Sequence, residues 1–301
     1  MLNKKSEIVF IGAGKVAHTL VPLLIKKEFS VKGIVSRRKD PATFLGKKYR
    51  LDFYASVISK IPVNQGIFFI TVPDGQIPGV DGKLASLDLD FKKSLFIHTS
   101  GSETSSALKN LQKKGGITAS FHIMQTFPSL KPTDIRNSFA AIETKSRAAE
   151  KFLFDLAMTM DLKSFRITEE EKVFYHLAGV FTANFLNSNF SAAEKLLNNT
   201  AIGEGQHFNL FEPIITTTLS NIKNYGVAES LSGPVQRGDF LTIKKHIDAL
   251  KKSKVNDGML ILRSYISQSL ILLDIIKRKR KKLTADQVKV KKILEVELKK
   301  I

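Results

Sequence analysis

The sequence predicts an α/β fold, a doubly wound and mostly parallel sheet, followed by an all-α C-terminal region. Three observations carry this. Short apolar runs alternate with amphipathic stretches up to about residue 168. Most of these runs end in small or polar residues, as strands do at the ligand-binding edge of a parallel sheet. Beyond Thr168 the periodicity is helical throughout, with no further strand-like run.

The first run, Ile8-Val9-Phe10-Ile11, leads into Gly12-Ala13-Gly14-Lys15-Val16-Ala17. Val16, Leu20, Leu23 and Leu24 then share one helical face. Strand, glycine turn and helix are the context in which G-x-G-x-x-G/A binds a dinucleotide. Gly12 lets the chain turn sharply, and Gly14 lets a pyrophosphate approach the backbone. Ala17 keeps helix and strand close. The helix opening at Lys15 and Val16 offers free N–H groups and a partial positive charge. A plain glycine-rich turn is the structural alternative.

The second run, Val31 to Val35, ends in Ser36-Arg37-Arg38. An acidic residue at this point of a Rossmann unit would select NAD through the ribose 2′-hydroxyl. A hydroxyl and two guanidinium groups suit a 2′-phosphate instead, so NADP is expected over NAD. Ile67 to Val72 is the next strand. It ends in Thr71-Val72-Pro73-Asp74, which places Val72 and Pro73 at the cofactor. Leu95 to His98 ends in Thr99-Ser100-Gly101, and Ile117 to Phe121 ends in His122. Phe139 to Ile142 and Ser164 to Ile167 are the last strands, with a helix over Arg147 to Met160 between them.

Thr168 and Glu171 form a capping box for a helix running without interruption to Leu197. Further helices cover Phe211 to Tyr225, Leu241 to Leu250 and Gly258 to Ile276. The basic run Lys277 to Lys282 separates these from a last helix, capped by Thr284 and Gln287 and striped by Val290, Leu294, Leu298 and Ile301. The expected domains are 1–168 for the dinucleotide, 169–276 for substrate and dimerisation, and 277–301 as an appended basic helical tail.

The 301 residues contain no cysteine, which excludes disulfides and thiolate chemistry. The formal net charge of +19 reads as a lysine-rich surface plus a basic tail, because no nucleic-acid recognition motif accompanies it. The apolar runs are too short and interrupted to span a bilayer. A soluble, cytoplasmic protein is expected, with no membrane partner.

The six histidines are dispersed, and none has metal-ligand spacing. Ser100-Gly101 suits either a carboxylate or nicotinamide contact or a structural turn. His122 stands at a strand end, where ligands gather. His176 and Asn184 are eight residues apart, close to two helical turns, and Gly179 and Ala183 keep the surface between them small. They suit either a site or a helix contact. Ser232 to Asp239 is a polar loop in which Arg237 and Asp239 pair, or Arg237 meets an anion.

These motifs occur in one order: Gly12 to Ala17, Thr71 to Asp74, His98 to Gly101, His122 with Gln125-Thr126-Phe127, and Ser232 to Asp239. Together they resemble the family that joins a Rossmann-like domain to the domain of unknown function 2520. Its architecture is similar to that of 6-phosphogluconate dehydrogenase, the 3-hydroxyacid dehydrogenases and pyrroline-5-carboxylate reductase. The resemblance implies a helical second domain like that of 6-phosphogluconate dehydrogenase, a cleft between domains and a homodimer. Ile123-Met124-Gln125 replaces the family's Pro-Leu-Gln. The hydroxyacid dehydrogenases carry a lysine on the long helix with an asparagine one turn later; the region here reads as His176 and Asn184 without that lysine.

The sequence thus points to an NADP-dependent oxidoreductase acting on a small, anionic molecule in that cleft. His176 is the expected proton carrier, Asn184 its partner, and His122 a binding group. A non-catalytic NADP(H)-binding or regulatory protein on the same scaffold is the alternative.

Overall fold

The computed structural model describes residues 3–252 and 257–301. Among them one eight-stranded sheet forms, in the order β3-β2-β1-β4-β5-β6-β7-β8. The strands are β1 (Ile8–Ile11), β2 (Val31–Val35), β3 (Phe53–Ala55), β4 (Ile67–Ile70), β5 (Leu95–His98), β6 (Ile117–Ile123), β7 (Phe139–Thr144) and β8 (Lys163–Arg166). All neighbours run parallel except β6 and β7. The strand order reverses between β1 and β4, which opens a crevice at their carboxyl ends.

The near-continuous apolar runs are explained by burial on both faces. Ile8 and Phe10 of β1 face one core with Ile67 and Phe69 of β4. That core also holds Leu20 and Leu24 of helix α1 (Lys15–Lys26), and Leu153 and Leu156 of α5 (Arg147–Thr159). Val9, Ile11, Phe68 and Phe96 face the opposite core, against α3 (Ile77–Ala85) and α4 (Lys109–Lys113). Stacked phenylalanines bind neighbouring strands within each layer, Phe10 on Phe69 at 5.2 Å and Phe68 on Phe96 at 5.0 Å between ring centres. Helix α2 (Lys39–Lys48) follows β2. The strand β3 was not foreseen, since its three residues offer too short a pattern.

The chain divides into two compact units, Met1–Asn184 and Phe185–Ile301. The expected boundary at residue 168 is therefore displaced. Helix α6 (Lys172–Gly179) belongs to the first unit, because its Lys172 is buried and bonds to Ser100 and Ser120 of that unit. The capping box before it is present: Thr168 N–H donates to Glu171 at 2.9 Å, and Glu171 N–H to Thr168 Oγ1 at 3.3 Å. The helical run expected to reach Leu197 unbroken instead widens into a π-turn at Val180–Asn184 and resumes as α7 (Phe185–Leu197). Thr182 Oγ1 donates to the carbonyls of Ala178 and Gly179, which competes with the regular ladder.

The second unit also contains α8 (His207–Tyr225), α9 (Pro234–Arg237), α10 (Phe240–Lys252), α11 (Gly258–Arg280) and α12 (Ala285–Leu298). Its core holds Ile243, Ile247, Leu262, Ile266, Val290 and Leu294. The expected separate tail is thus part of this unit. Lys277 to Arg280 continue α11, and Val290 and Leu294 of the α12 stripe pack inward while Leu298 stays exposed. The capping box at Thr284 and Gln287 is formed. In the polar loop, Asp239 accepts from the N–H and hydroxyl of Thr242, so it caps α10 instead of pairing with Arg237. One apolar run is longer than the sequence reading allowed: α11 is long and apolar enough to cross a membrane. Its Ile261, Leu262, Ile266, Leu273 and Ile276 are buried in the helical core.

Candidate functional site

The glycine turn sits where the strand order reverses. Gly12 has φ +110°, and a Cβ there would lie 2.6 Å from the Thr71 carbonyl oxygen, so no other residue fits. Thr71 Oγ1 donates to the Gly12 carbonyl at 2.8 Å, locking the turn to the end of β4. A Cβ at Gly14 would make only an ordinary contact, at 3.6 Å from the same Thr71 oxygen. Gly14 caps α1 without a side-chain acceptor, and the first turn of α1 holds no acid. Lys15 is exposed, Val16 is half-buried and Ala17 is buried against the sheet.

Ser36, Arg37 and Arg38 follow β2. Ser36 is half-buried and its N–H donates to Ala55 O. Arg37 and Arg38 are exposed, and neither forms an ion pair among the described residues. Val72 is half-buried, with its Cγ1 3.0 Å from where a Gly12 Cβ would be, and Pro73 is exposed.

A second cluster lies at the ends of β5 and β6. Gly101 is buried between two imidazoles: a Cβ there would lie 2.4 Å from His176 Nδ1 and 2.9 Å from His122 Nε2. The rings of His122 and His176 meet edge-on with centres 6.0 Å apart. His122 Nδ1 is 3.2 Å from the Tyr175 hydroxyl. His122 is the penultimate residue of β6, while Tyr175 and His176 are consecutive on α6. The structure thus brings His122, His176 and Gly101 together.

Ser100 is buried, and its hydroxyl accepts from the N–H groups of Ser102 and Glu103 at 3.2 and 3.0 Å. That side chain shapes the turn. Asn184 ends the π-turn, is exposed, and has no hydrogen bond or ring contact to either histidine among the described residues.

Lys172 is the residue that the sequence reading missed. It is 0% exposed, and its Nζ donates to Ser120 Oγ at 2.7 Å and to Ser100 O at 3.2 Å. Burial lowers its pKa to about 8, against the opposing pull of Glu143, Asp74 and Glu103. It stands one turn before His176 on α6, so the long helix does carry a lysine after all. The Lys172–His176 spacing of four residues was the available signal.

Two further buried groups brace the loop after β5. His98 Nε2 is 2.8 Å from Thr104 O, and its Nδ1 accepts from Ser100 N–H at 3.3 Å. Burial holds His98 at a pKa of about 4, so the ring is neutral, with Nε2 donating. Glu143, also buried, accepts from Ser105 N–H and Oγ at 2.5 and 2.8 Å. His122 is likewise lowered to about 4, chiefly by burial and then by the charges of Lys172 and His176. Tyr175 is raised to about 12 by burial. No group of three or more potential metal ligands gathers among the described residues.

Residues 138–260 match the family described as Domain of unknown function (DUF2520), less than half of the chain. No curated protein matches the sequence. Among solved structures, the chain is similar to a Bacteroides fragilis protein provisionally named an NADP oxidoreductase (BF3122). Their identity is 24% and the TM-score 0.75, covering 89% of this chain and 98% of that one. It is also similar to a pyrroline-5-carboxylate reductase from Coxiella burnetii, with 17% identity, a TM-score of 0.53, and coverage of 90% and 99%. An imine reductase from Myxococcus stipitatus, solved with NADP+, has 12% identity and a TM-score of 0.60, with coverage of 88% and 94%. At these identities the likeness is one of fold. The chain carries the DUF2520 region that its motifs point to, on the fold of Rossmann-type reductases.

Proposed function

We propose that this protein is an NADP(H)-dependent oxidoreductase acting on a small, anionic carbonyl or imine compound. The observation that carries this is the convergence of His122 and His176 on Gly101, beside buried Lys172, in the same unit as the glycine turn. The turn fits a dinucleotide. Gly12 admits no Cβ, Gly14 leaves space, and α1 presents an acid-free first turn to a pyrophosphate. Arg37 and Arg38, with Ser36, would hold a 2′-phosphate. Val72, Pro73 and Gly101 would border the dinucleotide along the strand ends. The nicotinamide, when bound, supplies the hydride.

The chain's own residues then handle the proton and the substrate's charge. His176 is half-buried on α6 and is the group we assign to hand a proton to the oxygen or nitrogen that becomes negative. His122 binds the substrate. Lys172 is fully enclosed, so it acts through position: it ties α6 to the Ser100 carbonyl and to β6, fixing His176 over Gly101. Its positive charge favours an anion.

A homodimer is part of the same proposal. Among the described residues α7 buries none and α8 only His207. Exposed Phe208, Leu210, Ile214 and Leu219 leave α8 an apolar surface that a second copy would cover. Sedimentation velocity tests this, and a monomer at micromolar concentration contradicts it.

The test of function is NADPH consumption with a panel of small keto acids and cyclic imines. Turnover is expected, with His176→Ala lowering kcat by about 10²–10⁴-fold without releasing NADPH. Tight NADPH binding with no turnover of any compound favours a non-catalytic binding protein.

A further inference from the structure

His122 is gripped by two consecutive residues of α6. Tyr175 meets the ring edge-on, with centres 5.5 Å apart and planes at 85°, and its hydroxyl is 3.2 Å from Nδ1. His176 meets it at 81°, and Nε2 points to the face of Gly101 that His176 also covers. The two ring nitrogens therefore have different neighbours. Nδ1 is taken by a phenol, whereas Nε2 is turned toward the site.

A neutral imidazole has one bare nitrogen and one N–H, and the partner of one decides the state of the other. A phenol is a stronger donor than a neutral imidazole N–H, and a bare imidazole nitrogen accepts better than a phenol oxygen. The Tyr175 hydroxyl makes no other hydrogen bond among the described residues. Besides Tyr175, the charged or titratable groups around His122 are Lys172 and His176 on α6, His98 on β5, and Asp74 after β4. Burial and the positive charge of Lys172 favour a neutral His122.

We propose that Tyr175 is a positioning residue for His122. Its hydroxyl donates to Nδ1 and fixes the ring as the Nε2–H tautomer, which presents a donor to a carbonyl or carboxylate oxygen of the substrate. His122 is then a neutral hydrogen-bond donor, and proton transfer falls to His176. The role toward substrate rests on the reductase reading; the tautomer does not.

The test uses the full chain with ¹⁵N-labelled histidine. Long-range ring correlation spectra are recorded between about pH 6 and 9, around the ordinary imidazole pKa. His122 is assigned by the signals lost in His122→Gln. The expected pattern is a protonated Nε2 and a bare Nδ1 across the range. Tyr175→Phe is expected to move the tautomer ratio toward Nδ1–H by about two- to tenfold, the effect of one lost hydrogen bond. NADPH affinity should not change. A wild-type ring protonated on Nδ1, or a tautomer unmoved in a folded Tyr175→Phe, overturns the proposal.

Kinetics supply a second arm. The amide of His122→Gln places an N–H near Nε2, and that of His122→Asn near Nδ1. His122→Gln should retain the larger share of kcat/KM, and the reverse order counts against the proposal. A confirmed tautomer in a protein that turns over no compound upholds the role of Tyr175 and removes the reductase reading.

Discussion

Replacing Gly101 with alanine should damage turnover far more than folding. The added Cβ would lie 2.4 Å from His176 Nδ1 and 2.9 Å from His122 Nε2. Relieving the first contact to an ordinary 3.4 Å moves the His176 ring by about 1 Å. Gly101 does not occupy the left-handed backbone region, so the substitution adds crowding without backbone strain. His176 is half-buried and its ring can swing, which puts the stability loss near the low end of overpacking, about 1 kcal/mol. A displacement of about 1 Å in a proton-carrying group lowers rate by roughly 10²-fold. Thermal unfolding and NADPH-dependent turnover of the same preparation separate the two effects. A Gly101→Ala protein with wild-type kcat refutes the idea that both imidazoles work from this position. Loss of stability well beyond that estimate would show the rings to be rigid packing elements.

The Arg37→Ala, Arg38→Ala double variant should weaken NADPH binding by roughly a hundredfold and leave NADH nearly unchanged, which titration of both cofactors measures; equal losses would sink the 2′-phosphate assignment. His98 is fully buried with its pKa lowered to about 4 from 6.5. The unfolded chain therefore binds a proton that the folded one refuses, so stability is fully present above about pH 6.5 and is lost as pH falls toward 4, by about 3 kcal/mol from this group. Denaturant midpoints should show a shallower acid loss in His98→Gln than in the wild type, and parallel curves would contradict this. Leu294→Ala should cost the helical unit about 2–5 kcal/mol, because this side chain is fully buried, while NADPH affinity stays as in the wild type. A variant melting like the wild type would return the last helix to the status of an appendage.

The central strands were legible because each is buried on both faces, so Ile8–Ile11, Ile67–Ile70 and Leu95–His98 read as apolar runs. Gly12 was legible because its φ of +110° and its contact with Thr71 leave glycine no substitute. Thr168 and Thr284 were legible as caps, since a capping box is local chemistry. Lys172 was not, because a lysine reads as surface until its acceptors, Ser100 and Ser120, are brought in from distant strands. Gly101 read equally as a ligand contact and as a structural turn, because the two imidazoles that need its missing Cβ come from residues far along the chain. The pairing of His176 with Asn184 assumed a regular helix, and the π-turn at Val180–Asn184 changes that helix. The last helix looked separate because its basic prefix resembles a linker; its burial depends on the nonlocal partners Ile243 and Leu262.

The most direct test of the account follows a label. The protein is incubated with NADPH carrying deuterium at the transferable position, together with small anionic carbonyl and cyclic imine compounds, and the products are read by mass spectrometry. The account predicts deuterium on the carbon of one such compound, with much less transfer in Gly101→Ala and His176→Ala. NADPH that binds and keeps its label with every compound would contradict it.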